Sequence, residues 1–588
     1  MDVTSRMNNM PRSSKMSMRG AWLVLVMLLS SMAPFASADS STPIIYDGAP
    51  LKESSEESPL TYSFSPAIRA AFTRVSDISQ YTSAELESTT EWVVVSTTPM
   101  GEATGILANT WIVEVEPSDA LQHFSQLQDS GLIETAYPLV ERQMIPRWTP
   151  NDTYFSNQWH LENTGQDNGV SGEDVNITGA WNDVLGTGIV IGIVDDGLEW
   201  DHADLSANYE STLDYDYCNY DGDPTPSSFD AHGTAAAGVP AAIGNNGQGV
   251  TGSAPDASLA GLMLIACGNS DNDEANALSH LNDDIDIYSN SWGPPDTGDY
   301  LGTAGPLILA AFEDDAYNGR NGLGNTITWA AGNGLDDEDD SNLDAYANSR
   351  FTISVTAVDH DGDQTSYGEP GANVLIASPS DGSGVGITTT DLEGNSGYTG
   401  GDYTSNFGGT SSATPLVSGV VALMLEANNN LTWRDVQQIL VESARKNDAG
   451  DSGWNTNGAG LEFNHKYGFG VVDAGHAVDL ATNWDTLDPE VNLTSGRITV
   501  SQTVPDNEPN NPVVSNHVFS ESLIVESVDV IFDADHNYRS DLDVTLISPD
   551  GTESELVNYF ANRDNGNNYN EWQFNSVQHW GEISAGTW

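Results

Sequence analysis

An α/β fold, a doubly wound and mostly parallel sheet with flanking helices, is what the centre of this 588-residue chain predicts, on three observations. Residues 189–194 are a continuous apolar run rich in β-branched side chains, the pattern of a strand buried on both faces of a parallel sheet. Thr326–Ala330 is a second strand-like run. Residues 416–427, introduced by Gly408, Gly409, Thr410 and Pro415, read as a long buried helix. Active groups of open parallel sheets gather at the carboxyl ends of their strands, and Asp195 falls at the end of the first run.

The other segments follow in order. Residues 1–38 read as an export signal: Arg6, Arg12, Lys15 and Arg19 precede the apolar run 21–29, and Ala36-Ser37-Ala38 supplies small residues for cleavage. The run is too short to persist as a membrane anchor, and no other segment is long and apolar enough for one, so the expected location is secreted or extracellular, with the periplasm as the other destination. Residues 39–147 begin as a spacer rich in Ser, Glu and Pro and continue as a small α+β unit, with a strand at Thr110–Val115 and a short helix over 118–127. The α/β domain occupies 148–485 and closes with the helix Ala474–Thr482. From 486 to 588 the pattern turns all-β and jelly-roll-like, with strands over 528–532 and 541–547 and the turn Ser548-Pro549-Asp550-Gly551.

Three short glycine-bearing segments carry chemistry: GIVDDG with Asp195, AHGT with His232, and GGTSSATP with Ser411. A serine hydroxyl is a weak nucleophile at neutral pH, so it needs a base within hydrogen-bond reach. That base needs a carboxylate that fixes its tautomer and stabilises the imidazolium. Ser411, His232 and Asp195 fill these roles in turn. Singly, each has a plain structural reading: a strand-end cap, a satisfied histidine, a turn serine. The three contexts together favour catalysis. Asn333, in WAAGNG after the strand Thr326–Ala330, is the side-chain donor for the oxyanion, beside the first-turn N–H groups of the helix that Ser411 opens.

With VDDGLEWDHADL, YSNSWGPPD, TWAAGNG, LEANNNLTWRDVQQIL and YGFGVVDAG beside these residues, the chain resembles the subtilases, and within them the kexin/furin-like proprotein convertases. The order Asp, His, Ser is that of subtilisin. The doubled Asp195-Asp196 and the SWGP run are the narrower marks. The resemblance implies a subtilisin-like sheet, a C-terminal β-sandwich P domain that stabilises the protease and tunes its calcium and pH needs, and a prosegment that inhibits the enzyme and assists its folding. An accessory domain is the other reading of 39–147, and an adhesion or sugar-binding module the other reading of the C-terminal region. Arg142 or Arg147 is the expected maturation cut, although neither stands in a multibasic run. A sandwich ending at Trp588 is expected to be incomplete, with an open edge.

Calcium enters through the same resemblance, since hard cations take six to eight oxygens. The relatives' first site carries over to Asp152, Asp204 and Asn246, and another to Asp216, Asp221 and Asp223. Asp344 matches the acid that holds a basic side chain at the bottom of the specificity pocket. Asp296, Asp339 and Glu369 match a calcium site that props the pocket, which Asp296 also borders. Ser291, Trp292 and Gly293 belong to the substrate path, Asp196 matches an acid facing the second residue before the cut, and Glu274 one facing residues further upstream. Near Ala304 a short insertion stands where furin has another acid, so a fully multibasic preference is not implied. The implied activity is calcium-dependent cleavage after Arg or Lys, because a desolvated pocket selects strongly against leaving its own charge unpaired. The plain reading of the acidic run 336–340 is a solvated loop.

Composition sets the surroundings. Eighteen Lys and Arg face 86 Asp and Glu, a formal net charge of −68, and lysine is confined to Lys15, Lys52, Lys446 and Lys466. Such a surface repels nucleic acid and anionic membranes and attracts cations and basic peptides. It reads as adaptation to high salt, where self-repulsion is screened, and is equally compatible with a calcium-rich secreted protein. Cys218 and Cys267 stand in a compartment that permits a disulfide, but sequence does not give their separation, and pairing stays open. The expected partners are polypeptides with basic residues, the chain's own prosegment and calcium. Neither nucleic acid nor a stable membrane anchor is expected, and the chain is expected to be a monomer. A degradative subtilase of broad specificity and a non-catalytic binding or adhesion protein on the same fold are the rival readings.

Overall fold

The computed structural model describes residues 148–588 apart from 300, 506–509 and 559–565, and, as backbone strands alone, residues 2–8, 68–73, 94–99, 110–115 and 135–139. Seven parallel strands form the central sheet: β1 (Val190–Asp195), β2 (Tyr215–Asp216), β3 (Ser258–Met263), β4 (Ile287–Asn290), β5 (Thr326–Ala330), β6 (Thr352–Val358) and β7 (Val374–Pro379). Their order is β7-β6-β5-β4-β1-β3-β2, so the chain starts in the middle and winds outward both ways. Ile191 and Ile193 face one apolar layer while Val190 and Val194 face the other, the period of two that a strand covered on both sides requires.

One layer holds helices α1 (His232–Ala241), α4 (Thr410–Ala427), α5 (Trp433–Ser443) and α6 (Ala474–Thr482); the other holds α2 (Asp271–Leu278) and α3 (Pro306–Gly322). The expected α6 and β5 appear with the predicted bounds. Helix α4 begins at Thr410, ahead of the apolar run that announced it, so Ser411 lies in its first turn. By length and composition α4 could cross a membrane, which the sequence reading had excluded for every later segment, yet 83% of its apolar window is buried in the fold. It is a core helix, apolar all round because sheet and helices enclose it. Cys218 and Cys267 are joined, with a Cα–Cα distance of 5.8 Å, tying the loop after β2 to the loop after β3.

Behind α6 the chain turns to antiparallel β structure. Ile524–Ala534 pairs with Tyr569–Ser576, and Val544–Ile547 with Glu553–Val557 across the expected turn, where Gly551 donates its N–H to Ser548 O (3.0 Å). The expected strands over 528–532 and 541–547 are thus longer and shorter than predicted, respectively. Asp2–Asn8 is a strand between Val491–Thr494 and Ile524–Ala534; the rest of the expected signal, including 21–29, lies outside the described residues. In a separate unit, Val94–Pro99, Thr110–Val115, Ile68–Thr73 and Thr135–Leu139 form a four-stranded antiparallel sheet in that order. Its strand at Thr110–Val115 is the predicted one; the helix expected over 118–127 and both candidate cut sites lie outside the described residues.

Candidate active site

Parallel register brings the site together. Val194 of β1 pairs with Asn290 of β4, so Asp195 and Ser291, each one step further, mark adjacent strand ends about 5 Å apart. Asp195 is 1% exposed, and its two oxygens accept from His232 Nδ1 at 2.9 and 3.0 Å. That bond fixes the proton on Nδ1 and leaves Nε2 as the basic atom. His232 opens α1, whose first N–H groups are gripped by Asp196: its carboxylate accepts from His232 N (3.1 Å) and Gly233 N (2.7 Å). Burial opposes the charged imidazolium of His232, but the carboxylates of Asp195 and Asp196 outweigh it, and the net shift is upward. Burial and the neighbouring Asp195 push Asp196 upward too, against those two N–H donors.

Ser411 is bound to the adjacent strand end from both sides. Its hydroxyl donates to Ser291 O (3.2 Å), and its carbonyl accepts from Ser291 Oγ (3.1 Å). The hydroxyl proton is thus directed at Ser291 O, one residue beyond β4, in this state. Asn333, three residues beyond the end of β5, offers its Oδ1 to Thr410 N (2.8 Å) and Thr410 Oγ1 (3.1 Å). A backbone donor on that oxygen fixes the amide orientation, and Asp296 Oδ2 accepts from Asn333 N (2.7 Å) and, more weakly, from Asn333 Nδ2 (3.5 Å). Gly409 adopts φ +74°, and a Cβ there would lie 3.2 Å from Asn333 Oδ1, so glycine allows this approach. Sequence reading missed the anchor of the nucleophile's loop: Asp381 accepts from Gly409 N (2.8 Å), and Ser380 Oγ donates to Gly409 O (2.7 Å). No local pattern marks these two.

Four acids, Asp296, Asp339, Asp344 and Glu369, cluster near the Ser291–Gly293 stretch. A Cβ on Gly293 would lie 3.2 Å from Asp344 Oδ2, so the Ser291–Trp292–Gly293 stretch passes directly over that carboxylate. Asp344 Oδ1 accepts from Tyr346 N (2.8 Å), and the Ala347 N–H also favours the charged carboxylate. Burial raises Asp344 to about 8, with Asp296 and Asp339 adding to the rise. Burial lifts Asp339 to about 6, Asp296 upward and Glu369 well upward, and each of Asp339 and Glu369 is pushed further by the other acids. A Cβ on Gly334 would meet Asp339 Cβ at 2.7 Å, Glu369 Oε1 at 2.9 Å and Asp296 O at 3.0 Å, which places all three around one glycine. Among the described residues, none of the four is ion-paired with Lys, Arg or His. Glu274 joins indirectly, accepting from Tyr346 OH (2.7 Å), whose ring stacks on Trp329 at 5.0 Å.

Residues 186–470 match the subtilase family and 525–588 the proprotein convertase P-domain. The chain is 37% identical over 465 residues to neuroendocrine convertase 2 of Drosophila melanogaster, covering 75% of this chain and 69% of that protein. The chain belongs to the subtilase family of serine endopeptidases, in its kexin/furin-like proprotein convertase branch. PC3-like endoprotease variant B of Hydra vulgaris is 40% identical over 452 residues; the match covers 75% of this chain and 63% of that relative's length. Among solved structures, the serine protease of Aeromonas sobria superposes with a TM-score of 0.70 at 28% identity, covering 76% of this chain and 91% of that one.

Within this convertase fold the remaining sequence-predicted ligands fall into two groups. Asp152 and Asp204 are buried and meet through Asn246: Asp152 Oδ1 accepts from Asn246 N (3.0 Å), and Asp204 Oδ1 from Asn246 Nδ2 (2.6 Å). Two carboxylates and an amide brought together from three segments make an all-oxygen donor set of the kind calcium takes once the amide turns its oxygen inward. The second trio is looser. Asp216 is buried and accepts from Cys218 N (2.6 Å), Asn219 N (2.9 Å) and Asn219 Nδ2 (2.8 Å), while Asp221 and Asp223 are exposed. One unforeseen group, Asp359, His360 and Asp361, brings three ligand atoms within 4.8 Å, but Asp359 is already engaged by the N–H groups of Asp361 and Asp363 and by Ser383 Oγ.

Proposed function

We propose that this convertase homologue is an exported, calcium-dependent endopeptidase, made as a zymogen, that cleaves polypeptides after Arg or Lys. The observation that carries the specificity is the cluster Asp296, Asp339, Asp344 and Glu369: buried and half-buried carboxylates, all raised by burial and the last three also by neighbouring acids, with no basic residue in an ion pair with them among the described residues. Such a group is stable as anions only with cations supplied from outside. Asp344, under Gly293, would face the basic side chain of the substrate, and Asp296, Asp339 and Glu369 would hold calcium, which supplies positive charge that neutralises the wall of the pocket. Asp152, Asp204 and Asn246 would hold a structural ion, with Asp216, Asp221 and Asp223 as a further set.

The proton route follows from the Asp195–His232 bond. Ser411 turns from Ser291, gives its proton to His232 Nε2 and adds to the scissile carbonyl, whose oxygen takes the negative charge opposite Asn333 Nδ2 and the Ser411 N–H. His232 returns the proton to the leaving amine as the C–N bond breaks; water then repeats the sequence and frees Ser411. Asp196 and Glu274 would face residues upstream of the cut. The four-stranded sheet within 39–147 is compatible with an inhibitory prosegment. Digestion of a peptide library, with cut sites read by mass spectrometry in calcium and in chelator, tests the reading. Cuts after Arg and Lys that vanish on chelation support it; calcium-independent cuts without basic preference would overturn it in favour of a degradative subtilase. An absence of fluorophosphonate labelling at Ser411 in matured protein would favour the non-catalytic reading.

A further inference from the structure

The loop carrying Asp344 is held from two sides: within the catalytic domain Gly302 N donates to Leu343 O (2.9 Å) and Gly302 O accepts from Ala345 N (2.8 Å), and the P domain holds it through Asn342. Asn342, two residues before Asp344, is fully buried, and its side chain is used up by the P domain. Its Nδ2 donates to Asn575 O (2.9 Å) and Leu556 O (3.1 Å), and its Oδ1 accepts from Asn575 N (2.9 Å). Trp572 Nε1 donates to Asn342 O (3.2 Å), an oxygen that also accepts from Asn348 Nδ2 (2.9 Å), and Asn348 Nδ2 in turn reaches Gln573 O (2.8 Å). On either side of Asp344, Leu343 is part of the apolar core built by Phe519, Val525, Phe574 and Trp588, and Ala345 packs against it. Asp344 is therefore bracketed by residues whose contacts belong to the P-domain strands Glu553–Val557 and Tyr569–Ser576.

We propose that Asn342 is a positioning residue for substrate selection, through which the P domain sets the place of the Asp344 carboxylate under Gly293. The inference rests on the reading of Asp344 as the acid that meets the basic side chain. An amide that donates twice and accepts once across an interface defines the loop's height and tilt, whereas the flanking apolar contacts only exclude water. Displacing a recognition group by about 1 Å costs up to about 10²-fold in the reaction it serves. The triad does not depend on this loop, because Ser411 is anchored through Ser291, Ser380 and Asp381.

The test uses the full chain after maturation, with Asn342→Ala, the milder Asn342→Ser and Asn348→Ala, and Trp580→Phe as a control. Trp580 crosses the same domain interface away from the pocket, donating to Gln438 Oε1 (2.7 Å). Three quantities are read: kcat/KM for a peptide with Arg before the cut, kcat/KM for the matched peptide with Met there, and the rate of Ser411 labelling by a small fluorophosphonate. The expected result is an Arg-to-Met ratio lowered about tenfold or more in Asn342→Ala, mainly through KM, with labelling within about twofold of wild type. Trp580→Phe lowers the unfolding temperature and leaves the ratio unchanged. If Asn342→Ala fails to mature, Asn342→Ser and Asn348→Ala carry the same expectation in weaker form. An unchanged ratio in all Asn342 and Asn348 variants that mature, or a loss of labelling in step with Arg cleavage, overturns the proposal. A wild-type enzyme with no Arg preference instead sinks the reading of Asp344 before any variant is made.

Discussion

Asp195 and Asp344 are carboxylates enclosed at the same end of one sheet, and the fold treats them in opposite ways. Asp195 has its cation partner in the chain: His232, held at 2.9 Å at the start of α1. Among the described residues Asp344 has none, and neither have Asp296, Asp339 and Glu369 around it. On the proposed reading the Asp195–His232 half of the triad is formed within the chain, while the acid cluster around Asp344 awaits charge from outside, which lets a protease keep its base oriented and still discriminate between side chains.

Removing the self-contained half should have the largest effect. Ser411→Ala and His232→Ala should each lower kcat by about 10⁶, and the double variant should be little worse, because the members act as a unit. Steady-state peptide hydrolysis on folded protein measures this, and additive losses would break the claim that the two cooperate. Asp344→Asn should lower kcat/KM for Arg peptides on the order of 10³-fold, as expected for losing one partner of a desolvated charge pair, while Ser411 labelling persists. Asn333→Ala should cost about 10²–10³ in kcat with KM nearly constant, since it acts on charge that appears only in the transition state.

The pocket half also predicts an inverted pH dependence of stability. Asp339 near 6 and Asp344 near 8 lie above the ordinary carboxylate value of about 4, so the folded chain holds protons that the unfolded chain releases. Their contribution is fully present below about pH 4 and lost as pH climbs through 6 and 8. In chelator the unfolding temperature should therefore fall between pH 5 and 9, and calcium at a hundred times its Kd should restore about 2.7 kcal/mol. A chelated protein that gains stability over that interval would contradict the unpaired cluster. The smallest effect concerns the acid limb of kcat/KM. His232 must be neutral to act, and the Asp196 charge helps hold its pKa up, so Asp196→Asn should move the limb to lower pH.

What was legible in the sequence follows the same division. Asp195, His232, Ser411 and Asn333 could be read because each lies at the junction of an apolar run and a glycine-rich turn, a local pattern that fixes where a strand or helix ends. Strand Thr326–Ala330 and helix Ala474–Thr482 were legible for the same reason. Helix α4 starts at Thr410 because Gly408 and Gly409 deliver the chain to it, although its apolar run begins only at 416. The disulfide and the roles of Ser380, Asp381 and Asn342 depend on distances between remote segments; Asn342 meets Asn575 across 233 positions, and no local pattern reports that. The second ligand trio rests on acidic spacing, and in the structure backbone N–H groups engage Asp216 while Asp221 and Asp223 are exposed.

The direct measurement is kcat/KM for two peptides that differ only in Arg against citrulline before the cut, a change that removes the positive charge and keeps the shape. A loss of at least about 10²-fold for citrulline in wild type, reduced to within a few-fold in Asp344→Asn, is the predicted result. Equal cleavage of the two peptides by the wild-type enzyme would contradict a pocket completed by substrate charge.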